Sequence, residues 1–248
     1  MAGILKGKTA IVTGGGSGFG AGIVDRFAAE GAQVMVADIN GAAAAEVAAS
    51  RGGVACEVDV ADAGSVAAMA AAARSAFGSI DILVNNAGIT HVAGPLESVD
   101  EEMFDRVMAV NNKAVYLAAR QFVPMMKAAG SGVILNVAST AGVSPRPNLS
   151  WYNASKGWMI TATKAMAIEL APFGIRVNAV NPVAGETPLL ASFMGEDTPE
   201  MRVRFLSTIP LGRFSQPSDI AAAALFLCSD EASMITGVAM EVDGGRCI

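Results

Sequence analysis

The chain has 248 residues, of which 52% are hydrophobic and 16% charged, and a formal net charge of −6. This length suits one large α/β domain, and an acidic chain without a basic run lacks the clustered Lys/Arg footprint that a nucleic-acid partner requires. A single histidine, His91, and three dispersed cysteines exclude a His-His zinc motif and a disulfide framework, so no metal is expected.

Strand-like and helix-like segments alternate from the start. Thr9 to Thr13 reads as a short buried strand, followed by a glycine cluster and a helix from Gly18 to Glu30. Gln33 to Ala37 is a second strand ended by Asp38, and an Ala-rich helix follows. Val54 to Val58 is a third strand, Ala63 to Phe77 a helix, and Asp81 to Val84 a fourth strand. A long helix is predicted from Glu101 to about Ala128, with a kink or fraying near Pro124. Gly132 to Val137 is the fifth strand, Trp151 to Ala171 a helix, and Ile175 to Val180 the sixth strand. Pro188 to Leu206 is predicted as an irregular helix. Ser218 to Cys228 is a helix behind Pro217, and Val238 to Val242 the last strand.

Apolar strands alternating with helices predict βαβ units. The expected fold is α/β: a single Rossmann domain over residues 1–248, with a doubly wound seven-stranded parallel sheet and helices on both faces. No apolar run approaches the ~20 residues of a membrane span, and the N-terminus lacks a signal-peptide pattern. A cytoplasmic protein without a membrane partner is expected.

Thr13 to Gly20 (TGGGSGFG) sits between the first strand and first helix, where a dinucleotide turn belongs. Glycines permit the tight turn and let a pyrophosphate approach the backbone at a helix N-terminus. Alone, a glycine cluster is weak evidence. Asp38 follows Gly18 by 20 residues, the position of a carboxylate that accepts from ribose hydroxyls and repels a 2′-phosphate. No Lys or Arg stands beside it, which favours NAD over NADP; the ordinary alternative is a strand-end turn residue. Asp59 can face the adenine or cap a helix. Asn85-Asn86-Ala87-Gly88 ends the fourth strand, where its backbone can flank a ligand.

Tyr152 and Lys156 stand four residues apart, on one helix face, with small residues between them. A tyrosine with a pKa near 10 is a poor base at neutral pH, and a nearby ammonium favours its phenolate.

Taken in order, the Thr13-Gly14-x-x-x-Gly18-x-Gly20 turn, Asp59, the NNAG segment, Asn111, Ser139, Tyr152-x-x-x-Lys156, the RVNAVNP strand at Arg176 to Pro182, Thr187 and the DGG at Asp243 resemble the short-chain dehydrogenase/reductase family. The resemblance implies four catalytic residues. Ser139 polarises the substrate oxygen, Tyr152 is the general acid/base, Lys156 holds the nicotinamide ribose, and Asn111 holds a water that links Lys156 to solvent. It also implies an NAD site. Gly14, Ser17, Gly18, Phe19 and Gly20 belong to the turn, and Asp38, Ile39, Asp59 and Val60 to the adenosine end. Asn86, Ala87, Gly88, Val110, Tyr152, Lys156, Pro182, Val183 and Thr187 belong to the nicotinamide end. Family members commonly have glycine where this chain has Val183.

Residues 186–211 are expected to form the substrate loop, with Leu189, Leu190, Phe193, Met194 and Phe205 as an apolar lid or as ordinary core. His91 and Trp151 are further substrate candidates. The partner implied is a small-molecule alcohol or carbonyl compound, with some likeness to members that act on aromatic ones. The alternatives are a 3-oxoacyl carrier-protein reductase and a non-catalytic dinucleotide sensor. The low charge and the family pattern imply a homotetramer, paired through the long helices, with the C-terminus near a neighbouring subunit's active site.

Overall fold

The computed structural model describes residues 3–195 and 198–248. Its strands are β1 (Thr9–Thr13), β2 (Gln33–Asp38), β3 (Val54–Glu57), β4 (Ile82–Asn85), β5 (Gly132–Val137), β6 (Ile175–Pro182) and β7 (Ala239–Val242). They form one sheet in the order β3-β2-β1-β4-β5-β6-β7, and every pairing is parallel. The order reverses between β1 and β4, which opens a crevice at the carboxyl ends of these strands.

The helices are α1 (Gly18–Ala29), α2 (Gly41–Arg51), α3 (Ala63–Phe77), α4 (Glu101–Met108), α5 (Ala114–Ala129), α6 (Ser150–Leu170), α7 (Leu190–Met194), α8 (Pro199–Leu206) and α9 (Pro217–Cys228). Two apolar layers sandwich the sheet. Ala10 and Val12 of β1 pack with Ile23, Val24 and Phe27 of α1 and Ile220 and Leu227 of α9. Ile11 points the other way, into a layer with Met69 of α3 and with Phe122 and Met126 of α5. Burial on both faces is why the strands read as continuous apolar runs. Asn40, Asp62 and Asp100 each cap a helix start by accepting a backbone N–H.

The long predicted helix from Glu101 is two helices. A π-helical turn at Ala109–Lys113 separates α4 from α5, and α5 runs through Pro124 to Ala129 without ending there. The irregular helix predicted at Pro188 to Leu206 is α7 and α8; Glu196 and Asp197, between them, lie outside the described residues. β6 continues two residues past its predicted end, to Pro182. Among the described residues no helix is long and apolar enough to cross a membrane.

A buried amide network ties the sheet to α6. Asn85 donates to Asn136 Oδ1 at 2.9 Å, and Asn136 donates to Thr163 Oγ1 at 2.8 Å. Asn136 and Thr163 are fully buried. Asn136→Ala strands the Asn85 amide, and an unpaired buried donor costs about 2 kcal/mol. A lower urea midpoint with an unchanged m-value is the expected result.

Candidate active site at the carboxyl edge of the sheet

The glycine turn is built for close approach. Gly14 and Gly18 have φ of 62° and 52°, the left-handed region open to glycine. A Cβ on Gly14 would stand 2.9 Å from the Ala87 Cα, and one on Gly20 only 2.0 Å from the Gly14 carbonyl. The turn is latched to the end of β4: Asn86 Nδ2 donates to the Thr13 and Gly14 carbonyls, and Thr13 Oγ1 accepts from the Asn86 and Ala87 N–H groups. Ser17, before α1, makes no side-chain cap, so the N-terminal amides of α1 face the crevice without one.

Asp38 ends β2 beside this turn. Its Oδ2 accepts from the Gly16 N–H and its Oδ1 from the Asn40 N–H, both at 2.9 Å, which fixes the carboxylate at the rim. Asp59 lies beyond the end of β3 and accepts from the Ala61 N–H.

A cavity of about 340 Å³ runs along the edge from here. Gly14, Ser17, Gly18, Phe19, Asp38, Ile39, Asp59 and Val60 line it at one end; Asn86, Ala87, Gly88, Val110, Ser139, Tyr152, Lys156, Pro182, Val183 and Thr187 continue the wall. This groove, kept open by glycines and bounded by a carboxylate and a helix N-terminus, fits a dinucleotide.

Tyr152 and Lys156 are buried on one face of α6. The Lys156 ammonium donates to the Val137 carbonyl at 2.9 Å and lies 5.9 Å from the Tyr152 ring centroid. Burial lowers Lys156 to about 8. Burial raises Tyr152 to about 12, and a side-chain hydrogen bond with Ser139 works in the opposite direction. Ser139 ends the loop after β5, and its Oγ also accepts from the Ala141 N–H.

Asn111 and Gly20 sit behind the cavity wall. Gly20 packs under the turn. Asn111 occupies the π-helical turn, whose extra residue breaks the helical ladder and lets the side chain reach sideways. It exchanges two hydrogen bonds with the Ile89 backbone and donates to Ser155 Oγ. Asn111 Oδ1 and Lys156 Nζ both lie 3.4 Å from where a Cβ on Gly88 would stand, so the two polar groups flank that glycine. Asn112 turns instead to the Ser155 carbonyl.

Three substrate expectations need correction. His91 is buried with Nδ1 against the Val92 carbonyl, away from the cavity. Trp151 turns from the site, donating to the Leu96 carbonyl and meeting Phe104 edge-on at 5.4 Å. Leu190 packs with Met194, Val183, Ile209 and Phe214 in a small core of its own, which also accounts for Val183: its bulk helps anchor this segment. Leu189, Phe193 and Phe205 do line the cavity, and the Phe193 ring lies 5.2 Å from that of Tyr152.

The sequence reading missed Arg146, Leu149 and Asn153, which also line the cavity. The only signal was their place in the chain: Arg146, between two prolines, and Leu149 fall between Ser139 and Tyr152, and Asn153 follows Tyr152. The C-terminal segment folds back on its own chain, where Arg246 Nη1 donates to Ser144 Oγ at 3.1 Å.

A family model described as enoyl-(acyl carrier protein) reductase matches residues 14–246. The chain is 51% identical to 4-formylbenzenesulfonate dehydrogenase of Comamonas testosteroni, covering 98% of this chain and 99% of that protein. It is 40% identical to 2,5-dichloro-2,5-cyclohexadiene-1,4-diol dehydrogenase of Sphingobium indicum, over 99% of this chain and 98% of that one. Among solved structures, 3-ketoacyl-(acyl-carrier-protein) reductase from Brucella melitensis, complexed with NADH, superposes with a TM-score of 0.94 at 52% identity, covering 98% of this chain and 100% of that one. With this fold, this groove and these relatives, the chain belongs to the short-chain dehydrogenase/reductase family and is an oxidoreductase that binds a nicotinamide dinucleotide.

Proposed function

We propose that the protein is an NAD-dependent dehydrogenase that interconverts an alcohol and an aldehyde or ketone, with Tyr152 as general acid and base. The observation that carries this reading is one groove with Asp38 at one end and Ser139, Tyr152 and Lys156 at the other. The chain acts as one dinucleotide-binding and catalytic unit, with residues 186–211 as its substrate lid. The exposed apolar side chains Tyr116, Trp158 and Ile168 on α5 and α6 support assembly as a homotetramer through these helices.

Asp38 accepts from the ribose hydroxyls of the adenosine half, and its charge disfavours a 2′-phosphate there. Lys156 and Tyr152 would hold the nicotinamide ribose, and the Pro182–Val183 backbone and Thr187 would flank the carboxamide. A nicotinamide bound there would supply the hydride acceptor, and its positive charge in the oxidised form would favour the Tyr152 phenolate. Ser139 donates to the substrate oxygen. Tyr152, supported by the Lys156 ammonium, takes the hydroxyl proton in oxidation and returns it in reduction. Asn111, behind Lys156, positions the polar path by which that proton leaves.

The names of the Comamonas and Sphingobium relatives favour a cyclic, aromatic-type substrate. The Brucella structure's name favours a second reading, 3-oxoacyl carrier-protein reductase, and its complex with NADH is compatible with Asp38. Steady-state turnover of aromatic aldehydes against 3-oxoacyl thioesters, with NADH and NADPH each in turn, separates the two readings.

Tyr152→Phe removes the proton acceptor but no cavity wall. Turnover is expected to fall by at least about 100-fold, with NADH binding, read by fluorescence, retained; full activity would overturn the mechanism. The acid/base assignment also fixes a pH sign. Oxidation needs Tyr152 unprotonated beside a charged Lys156, so kcat/KM for the alcohol rises as pH climbs from 6 toward 8, whereas reduction needs the phenol, which a pKa of about 12 keeps protonated, and stays level over the same span. Asp38→Ser is expected to lower the NAD-to-NADP ratio of kcat/KM by at least about tenfold, through relief of repulsion at the 2′ position.

A further inference from the structure

Arg146 lines the substrate end of the cavity, a second arginine stands near it, and neither is in an ion pair among the described residues. Arg146 lines the cavity beside Tyr152, Leu189, Phe193 and Phe205. Its guanidinium lies over the Phe205 ring, 4.5 Å from the centroid, and makes a 3.3 Å hydrogen bond to Thr208 Oγ1. Arg246 approaches the loop that carries Arg146 from the C-terminal segment. Its Nη1 donates to Ser144, and its Nε is buried without a hydrogen-bond partner.

Among the described residues, every ion pair lies elsewhere, and neither arginine takes part in one. The side-chain carboxylate nearest Arg246 in sequence, Asp243, accepts from the Gly245 and Cys247 backbone N–H groups. Burial and the Arg246 charge lower Arg146 to about 10, which leaves it protonated at neutral pH.

In a chain of net charge −6, this is an unusual concentration of positive charge. Like charges brought together in a partly dry site are costly unless an anion arrives to pair with them. Planar guanidinium forks match the oxygens of carboxylates and sulfonates. The arrangement is also fixed relative to the proposed chemistry: Asn153, next to Tyr152, donates to the Arg146 carbonyl at 2.7 Å.

We infer that the site selects substrates whose apolar, aromatic-type body carries a carboxylate or sulfonate at the end remote from the reacting oxygen, with Arg146 as the anion anchor and Arg246 reinforcing it. Phe193 and Phe205 flank the body. This rests on the dehydrogenase reading above.

The test compares reduction of benzaldehyde, 4-formylbenzoate and 4-formylbenzenesulfonate with NADH. The wild-type enzyme is expected to prefer the charged aldehydes in kcat/KM by about tenfold or more, mainly through KM. Arg146→Gln brings the charged-to-neutral ratio close to one, Arg146→Lys restores part of it, and Arg246→Gln reduces it less. A merely structural role would lower all three substrates together and leave the ratio unchanged, which would overturn the inference, as would a wild-type ratio near one. Failure of the dehydrogenase reading has a different signature, no turnover of any aldehyde. Binding to the enzyme–NADH complex, read by NADH fluorescence, then gives the same comparison: tighter binding of the charged aldehydes that Arg146→Gln abolishes supports the anchor, and equal binding of all three overturns it.

Discussion

The burial of Lys156 organises the candidate site. Its ammonium is held inside the protein by one carbonyl, that of Val137 at the end of β5. An ammonium has three donors, so one acceptor leaves it under-satisfied. That deficit makes it a ready partner for ligand hydroxyls, and the same desolvation that lowers its pKa raises that of Tyr152. Lys156 is held by the end of β5, and Ser139, just beyond that strand, opposes the burial of Tyr152, so the site depends on a rigid α6 and a rigid end of β5.

The surrounding polar network supplies that rigidity. Asn85, Asn136 and Thr163 lock β4, β5 and α6 together in the interior. Asn111, released sideways by the π-helical turn, ties the Ile89 backbone to Ser155 on α6. Asn86 and Thr13 latch the glycine turn to β4. These buried amides are satisfied within the protein, and satisfied networks hold one geometry because every alternative strands a donor. The sheet crevice therefore presents preformed walls.

The substrate end is built differently. It draws on the segment after β6, α7 and α8, which meet around a small apolar core of Val183, Leu190, Met194, Ile209 and Phe214. That core is separate from the two layers that sandwich the sheet. Its side chains and the cavity-lining ones alternate along the same short segment: Leu189 and Phe193 face the cavity, while Leu190 and Met194 anchor. A lid with its own anchor can change its lining while the sheet stays fixed, which is how one fold serves many substrates.

The sequence by itself determined the sheet, the glycine turn, the strand-end position of Asp38 and the shared helix face of Tyr152 and Lys156, because each depends on local pattern; Ser139 was singled out only by the family resemblance. Apolar runs fix strands buried on both faces, glycines fix a close turn, and a spacing of four fixes a shared helix face. It did not determine the break between α4 and α5: Pro124 was the visible breaker, yet the interruption formed at Asn111, where tertiary hydrogen bonds outweigh local helix preference. Nor did it place His91, Trp151 or Leu190, whose types suit a pocket and a core equally well. Only packing decided that Trp151 faces Phe104 and Leu96, and that Leu190 faces Val183. Arg146 and Arg246 are 100 residues apart in the chain. Their meeting exists only because the C-terminus folds back over the loop before α6, and contacts between such distant segments leave no periodicity for a sequence to show.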